Sequence, residues 1–295
     1  MSEIFDFLKK AEAERRKTSP ATIAVPIIES ENAVRAEPAV EPGIEEPLPT
    51  EVEICSADKF DLTNASRQIK SVLDPLTLVG EQFRLLRSRL GLLQKQRGVK
   101  TVLVTSSVPE EGKTFIASGL AGVFAQEPGK RVVLIDADMR KPKSGWNFGL
   151  NGSSGSMGLS EVLSGKQDFH GALFMSLNPQ FYFMPSGPLP TNPSELLSTR
   201  NLERTLQIAA ESFDWIIIDS PPVLALSDTT LLTPLCDTVI MVVRANSTAS
   251  KLVLDAINRI GRERISGIVL NRQKQAGSSR YYYKYYYRGS KRDKE

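Results

Sequence analysis

Short apolar runs alternate with amphipathic stretches from about residue 52 onward, and that alternation predicts the fold. Residues 101–105, 132–135, 181–184, 215–218, 238–243 and 267–270 are dominated by Val, Ile, Leu and Phe. They are too short for helices and carry no polar face, so they predict strands covered on both sides. Between them, residues 78–93 place Phe83, Leu86, Leu90 and Leu93 on one helical stripe. Residues 114–126, 193–211 and 248–261 also predict helices. Strands alternating with helices imply an α/β architecture around a mostly parallel β-sheet. In such sheets ligands bind at the carboxyl ends of the strands.

The pattern fails outside that region. Residues 18–51 are rich in Pro, Glu, Ala and Val without a sustained period and read as a disordered linker. Residues 1–17 place Ile4, Phe5, Leu8 and Ala11 on one face of a short helix. That segment fits either a detached docking helix or a frayed terminus. The domain division is therefore 1–17, 18–51, a globular unit over 52–276, and a flexible tail over 277–295.

Composition narrows the function classes. With 295 residues, 41% hydrophobic and 24% charged, the chain supports a core without staples. A net charge of +3 does not mark the whole molecule as a nucleic-acid binder. Cys55 and Cys236 lie far apart without a CxxC spacing, which argues against a structural disulfide or zinc site. His170, the single histidine, leaves no multi-histidine metal site. No apolar run approaches the roughly 18–20 residues of a membrane-spanning helix, and the N-terminus lacks a signal-peptide core. A cytoplasmic setting fits these features.

Chemistry concentrates at three strand ends. Residues 107–114, SVPEEGKT, follow the strand at 101–105 and open a helix. Phosphate binding needs inward-pointing backbone N–H groups, a helix N-terminus and a lysine ammonium. Gly112, Lys113 and Thr114 complete the GxxxxGK[ST] pattern, with Ser107 in place of its first glycine. The strand at 132–135 runs into Asp136 and Asp138, and the strand at 215–218 into Asp219. One such aspartate would simply cap a turn. Three beside a GKT sequence point to a nucleotide site, because Mg²⁺ held by phosphates compensates carboxylates that are otherwise expensive to bury.

These segments together resemble the bacterial tyrosine kinases, or BY-kinases, of capsular and exopolysaccharide synthesis. Residues 107–114 are similar to their Walker A motif, VVLIDADMRKP (132–142) to Walker A′, and IIIDSPPV (216–223) to Walker B. The ExxRxxR element appears as Glu81, Arg84 and Arg87, and NPSELLSTR (192–200) and GIVLN (267–271) are also similar. The likeness runs from about residue 75 to the C-terminus. It implies a P-loop NTPase-like α/β fold, ATP and Mg²⁺ as cofactors, and protein-tyrosine autokinase activity. Lys113 would hold the β- and γ-phosphates, Thr114 would ligate Mg²⁺, and Asp219 would hold the metal through water. Asp136 would lie near the metal and help deprotonate tyrosine, with Asp138 in support. Ser107, Glu111, Gly112, Phe115 and Asn271 would complete the nucleotide site. Arg140 would either stabilise transferred-phosphate charge or form a structural ion pair. Glu81, Arg84 and Arg87 would join subunits of a homo-oligomer such as a ring. A membrane activator of the polysaccharide co-polymerase type would act through its cytoplasmic end, placing the kinase at the inner face of the membrane. A tyrosine phosphatase would reverse the reaction, and no nucleic acid is implied. One departure stands out: Glu110 and Glu111 occupy positions where the family often has Gly-Glu.

The C-terminus adds an independent argument. Tyr281, Tyr282, Tyr283, Tyr285, Tyr286 and Tyr287 are six of the seven tyrosines, set among Arg280, Lys284, Arg288, Lys291 and Arg292. They are expected phosphoacceptors. From Asn271 to Tyr281 an extended chain spans at most about 35 Å, enough to reach a neighbouring subunit's site. Basic residues interleaved with aromatics also suit single-stranded nucleic acid or a membrane interface, but neither explains the strand-end motifs. The main rival is a nucleotide-switch ATPase of the partitioning or septum-positioning type. Those usually carry an extra lysine early in the P-loop, and residues 105–111 contain none. A further rival is an adaptor that binds nucleotide without catalysis. Trp146, Phe148 and Phe181–Phe183 are expected to be core aromatics.

Overall fold

A computed structural model describes residues 58–150, 157–177 and 181–273. The expected N-terminal helix, the linker, the tyrosine cluster and Cys55 lie outside the described residues. An eight-stranded sheet runs in the order β1-β4-β5-β3-β6-β2-β7-β8. Its strands are β1 (Asp58–Phe60), β2 (Thr101–Ser106), β3 (Val132–Asp136), β4 (Phe174–Ser176), β5 (Phe181–Met184), β6 (Trp215–Asp219), β7 (Thr238–Arg244) and β8 (Ile265–Asn271). All neighbours are parallel except β4 and β5, which pair antiparallel. This is the mostly parallel α/β sheet that the alternation predicts.

Successive strand residues point to opposite faces, so each central strand feeds two cores. On one face Val102, Val104, Leu134 and Ile217 pack under α1 (Arg67–Leu73), α2 (Leu78–Arg97) and α3 (Lys113–Ala125). On the other, Leu103, Val133, Ile216 and Ile218 meet Leu202 and Leu206 of α6 (Arg200–Ser212) and Val253 and Ile257 of α8 (Ser250–Ile260). Both faces being covered is why these strands carry no polar alternation. Helix α2 starts on the Thr77 side chain, which accepts from the Gly80 N–H, and ends at Gly98 with φ 70°. Gly119 of α3 admits the Phe83 ring: a Cβ there would lie 2.6 Å from it. Among the described residues no helix is long and apolar enough to cross a membrane.

Several details depart from the sequence pattern. The 193–211 segment breaks at Ser198 and Thr199 into α5 (Pro193–Leu197) and α6. The short elements β1, β4, α1, α4 (Leu159–Leu163) and α7 (Asp228–Leu232) were not apparent from periodicity. Trp146 is not a core aromatic, since it is 66% exposed. Phe148, two residues on, is fully buried against Phe60, Phe181 and Phe183. Both lie in the 3₁₀ turn Ser144–Phe148, where residues three apart share a face, so Gly145 and Phe148 are buried while Trp146 turns outward.

That turn also carries a polar contact of the site, so its hydrophobic anchor has leverage. Phe148→Ala should cost about 3–5 kcal/mol, the usual range for truncating a buried aromatic. A shift of the urea midpoint without a change in slope would check it.

Candidate functional site

The phosphate-type loop leaves the buried end of β2 and enters α3 at Lys113. Gly112 adopts φ 96°, and a Cβ there would fall 2.1 Å from Asn271 Nδ2, so only glycine fits. No side chain caps α3 at that residue. The first-turn N–H groups are thus left for an anionic ligand.

Lys113 stretches from the start of α3 toward the ends of β3 and β6. Its Nζ donates to Asp138 Oδ2 at 2.8 Å and lies 3.7 Å from Asp219 Oδ1. Thr114 Oγ1 is 3.4 Å away. Burial opposes the ammonium charge, but Asp219 and Asp138 outweigh it and hold the Lys113 pKa above its ordinary value. Asp136 and Asp219 are cross-strand partners in β3 and β6. Asp136 accepts backbone N–H groups of Asp138 at 3.1 Å and Ser144 at 3.0 Å. Burial, then the Asp219 charge, pushes the Asp136 carboxyl up to about 7. Burial also raises Asp219, against the pull of Lys113.

The two oxygens of Asp219 differ. Ser144 Oγ donates to Oδ2 at 2.8 Å, whereas Oδ1 has no hydrogen-bond partner. Leaving a buried carboxylate oxygen unbonded is costly. A cation held partly by phosphate satisfies it. Among the described residues no three His, Cys, Asp or Glu side chains form a closed metal cage. That suits Mg²⁺, which usually takes one or two protein oxygens, substrate phosphates and waters. Asp219 and the Thr114 hydroxyl are the groups that fit such an ion.

Comparison with known proteins identifies what this arrangement belongs to. Residues 101–266 match the family described as AAA domain. Tyrosine-protein kinase YwqD of Bacillus subtilis is 33% identical over 219 residues, 74% of this chain and 91% of that protein. The chain belongs to the bacterial tyrosine-protein kinase family. Tyrosine-protein kinase Wzc of Salmonella typhimurium is 33% identical over 225 residues, 75% of this chain but 31% of that protein. The kinase domain of Escherichia coli tyrosine kinase ETK superposes with a TM-score of 0.64 at 28% identity, covering 76% of this chain and 93% of that domain. The septum site-determining protein MinD of Pyrococcus horikoshii, with a TM-score of 0.50 and 20% identity, shares the fold alone.

Within this tyrosine-kinase fold, Lys113, Thr114, Asp136, Asp138 and Asp219 converge at the strand ends. The other expected residues are held by contacts of their own. The Glu111 carboxylate accepts from the N–H groups of Val108 at 2.9 Å and Arg244 at 3.1 Å and from the Thr248 hydroxyl. Asn271 Nδ2 donates to the Glu111 carbonyl at 2.8 Å. Phe115 packs edge-on against Phe83 between α2 and α3. Ser107 is buried beneath the loop, near Met241. Arg140 forms the structural ion pair: its Nε lies 3.1 Å from Asp228 Oδ2 and its Nη2 donates to Ser194 Oγ at 2.9 Å. Glu81 pairs with Arg84 at 3.0 Å. Arg87 donates to the Val123 carbonyl at 2.7 Å and pairs with Glu127, tying α2 to the end of α3. Cys236 is buried, which raises its thiol pKa, and its Sγ donates to the Leu232 carbonyl.

Ser144 was missed. It links Asp136 through its N–H and Asp219 through its hydroxyl, but no motif marks it; only its place shortly after the strand that ends in Asp136 offers a signal. Glu110, where the family often has glycine, is exposed and adopts φ 66°. That left-handed conformation costs a side-chain-bearing residue about 1–2 kcal/mol. Glu110→Gly should therefore keep the loop intact and tighten Mg-ATP severalfold by removing a negative charge near the phosphates; calorimetric titration reads this directly.

Asp136 gives a pH prediction. Its folded pKa lies above the unfolded carboxylate value of about 4. The folded chain then binds more protons than the unfolded chain between about pH 4 and 7, and stability drains away as pH rises through that window. Asp136→Asn should lose this slope. Without nucleotide, its stability relative to the parent should grow from pH 4 to 7 and level off above. Parallel denaturation curves for the two proteins would show the Asp136 assignment wrong.

Proposed function

We propose that this chain is an ATP-dependent protein-tyrosine autokinase that phosphorylates the tyrosines at 281–283 and 285–287. The observation that carries the reading is the convergence of Asp136, Asp138 and Asp219 on Lys113 beside a glycine-hinged helix start, with Asp219 Oδ1 near the Lys113 ammonium but without a hydrogen bond. The named tyrosine kinases among its relatives support the acceptor class. Asn271, at the end of β8, touches the phosphate loop through its side chain, which supports an acceptor segment within reach of the site.

In the proposed reaction the acceptor phenol oxygen bonds to the γ-phosphorus while the bond to the β–γ bridging oxygen breaks. ADP carries away the displaced electron pair, and the phenolic proton passes to Asp136. A carboxyl titrating near 7 is well matched to that task at neutral pH, whereas a free phenol titrates near 10. Lys113 holds the β- and γ-phosphates, and the free N–H groups at the start of α3 cradle them. Magnesium, when bound through Asp219 and Thr114, neutralises phosphate charge. Asp138 keeps Lys113 aimed. Ser144 keeps Asp136 and Asp219 in register.

The wider role proposed here rests on the family resemblance of the motifs: control of exopolysaccharide or capsule polymerisation and export. In that role the chain works as a homo-oligomer in contact with the cytoplasmic end of a membrane activator, with a phosphatase resetting the tail. Glu81 keeps about half of its side chain exposed (45%) and is available to a second copy, whereas Arg84 and Arg87 are mostly covered, Arg87 by the end of α3.

The test is phosphotyrosine formation by the purified chain with Mg-ATP, with and without an activator's cytoplasmic segment. Phosphotyrosine should appear in the parent and vanish both in Lys113→Met and in a chain ending at Ser279. ATP hydrolysis without phosphotyrosine under every condition would replace the kinase reading with that of a switch ATPase.

A further inference from the structure

Glu111 is a buried carboxylate that the reaction above does not use. It is 1% exposed and lies at the tip of the phosphate loop, one residue before Gly112. One oxygen accepts from the Val108 N–H at 2.9 Å, closing the loop on itself. The other accepts from the Arg244 N–H at 3.1 Å and from the Thr248 hydroxyl. The backbone carbonyl of the same residue accepts from Asn271 Nδ2 at 2.8 Å. Arg244 and Asn271 are themselves cross-strand partners at the ends of β7 and β8, and the Ala245 N–H closes on the Asn271 carbonyl at 2.8 Å. One residue therefore fastens the loop to the paired ends of two strands.

The loop needs a fastener. Glu110 sits at φ 66° and Gly112 at φ 96°, two left-handed positions around Glu111. Glycine takes such backbone freely, but at Glu110 it persists only where surrounding contacts over-determine it. Hydrogen bonds to a carboxylate are about twice as strong as neutral ones, and here the donors sit in the loop itself, at the end of β7 and in the turn that follows β7. Phosphate recognition by backbone N–H groups gains from their being aligned in advance.

We infer that Glu111 is a positioning residue: its carboxylate clamps the phosphate loop to the β7 and β8 ends in the shape that receives the nucleotide phosphates. Glu111 touches no phosphate itself and acts through the amides of its loop. The inference rests on the nucleotide site within the proposed function and does not depend on what accepts the phosphoryl group.

The experiment uses the full chain. Mg-ADP affinity is measured by calorimetry for the parent, Glu111→Ala, Glu111→Gln and Thr248→Val, with thermal unfolding of each chain without nucleotide alongside. Glu111→Ala should bind Mg-ADP at least tenfold more weakly while remaining folded. Glu111→Gln should fall between, since its carbonyl accepts one set of donors while its amide faces the other. Thr248→Val, which removes one donor, should weaken binding severalfold. Where transfer is measurable, KM for ATP should rise more than kcat falls. Folded Glu111→Ala and Thr248→Val that bind Mg-ADP within twofold of the parent would overturn the clamp, as would losses matching the unfolded fraction alone. If Glu111→Ala does not fold, the other two variants decide by the same limits. Weakened binding in Glu111→Ala with no phosphotyrosine from the parent would keep the clamp and remove the kinase reading; phosphotyrosine with unchanged affinity would do the reverse.

Discussion

Two aspartates buried side by side at the ends of adjacent parallel strands set the terms for everything around them. Asp136 and Asp219 share one register position in β3 and β6, out of water and of like charge. Such a pair persists only with compensation. Lys113 supplies charge from α3, and Ser144 supplies an N–H to one aspartate and a hydroxyl to the other. The compensation is incomplete, because Asp219 Oδ1 has no hydrogen bond. The strand order places β2 beside β6, so the loop leaving β2 lies next to this pair. Nucleotide and cation therefore complete an electrostatic arrangement that the sheet leaves unbalanced.

A site of this kind needs rigidity from below and adaptability above. Rigidity comes from apolar packing: β2, β3 and β6 are fully buried, and α3 is buried along almost its whole length. The turn between Asp138 and Phe148 is held at both ends, by Ser144 on the aspartates and by Phe148 in the aromatic cluster. Arg140, anchored to Asp228 and Ser194, fixes the same turn from the side of α5 and α7. Arg140 is thus a brace rather than a free cation aimed at phosphate.

The central sheet was legible because strands covered on both faces must be apolar throughout, and only such strands give uninterrupted runs. The carboxylate ends were legible for a related reason: one aspartate after such a run caps a turn, but three of them beside a GKT sequence call for a counter-charge. What stayed hidden depended on tertiary return. β1 and β4 are three-residue edge pieces whose pairing gives no local period. Ser144 earns its role only when the chain folds back over β6. Trp146 was misplaced because an aromatic in a 3₁₀ turn has no face assigned by strand or helix periodicity. Glu111 was expected to complete the nucleotide site. Its glutamate identity gives no sign that the carboxylate turns back toward β7.

Charge connects this site to the end of the chain. Three aspartates against one lysine leave the strand ends negative, and the segment beyond residue 279 carries Arg280, Lys284, Arg288, Lys291 and Arg292 among its tyrosines. On the proposed reading, attraction brings the unmodified tail toward the carboxylates. Each phosphate then adds about −1.5 to −2 charges at neutral pH, so a few transfers reverse the sign of the tail. The same field that draws the acceptor in expels the product, and no separate release device is required. The carboxylates that make the metal site necessary would then also set the direction of traffic through it.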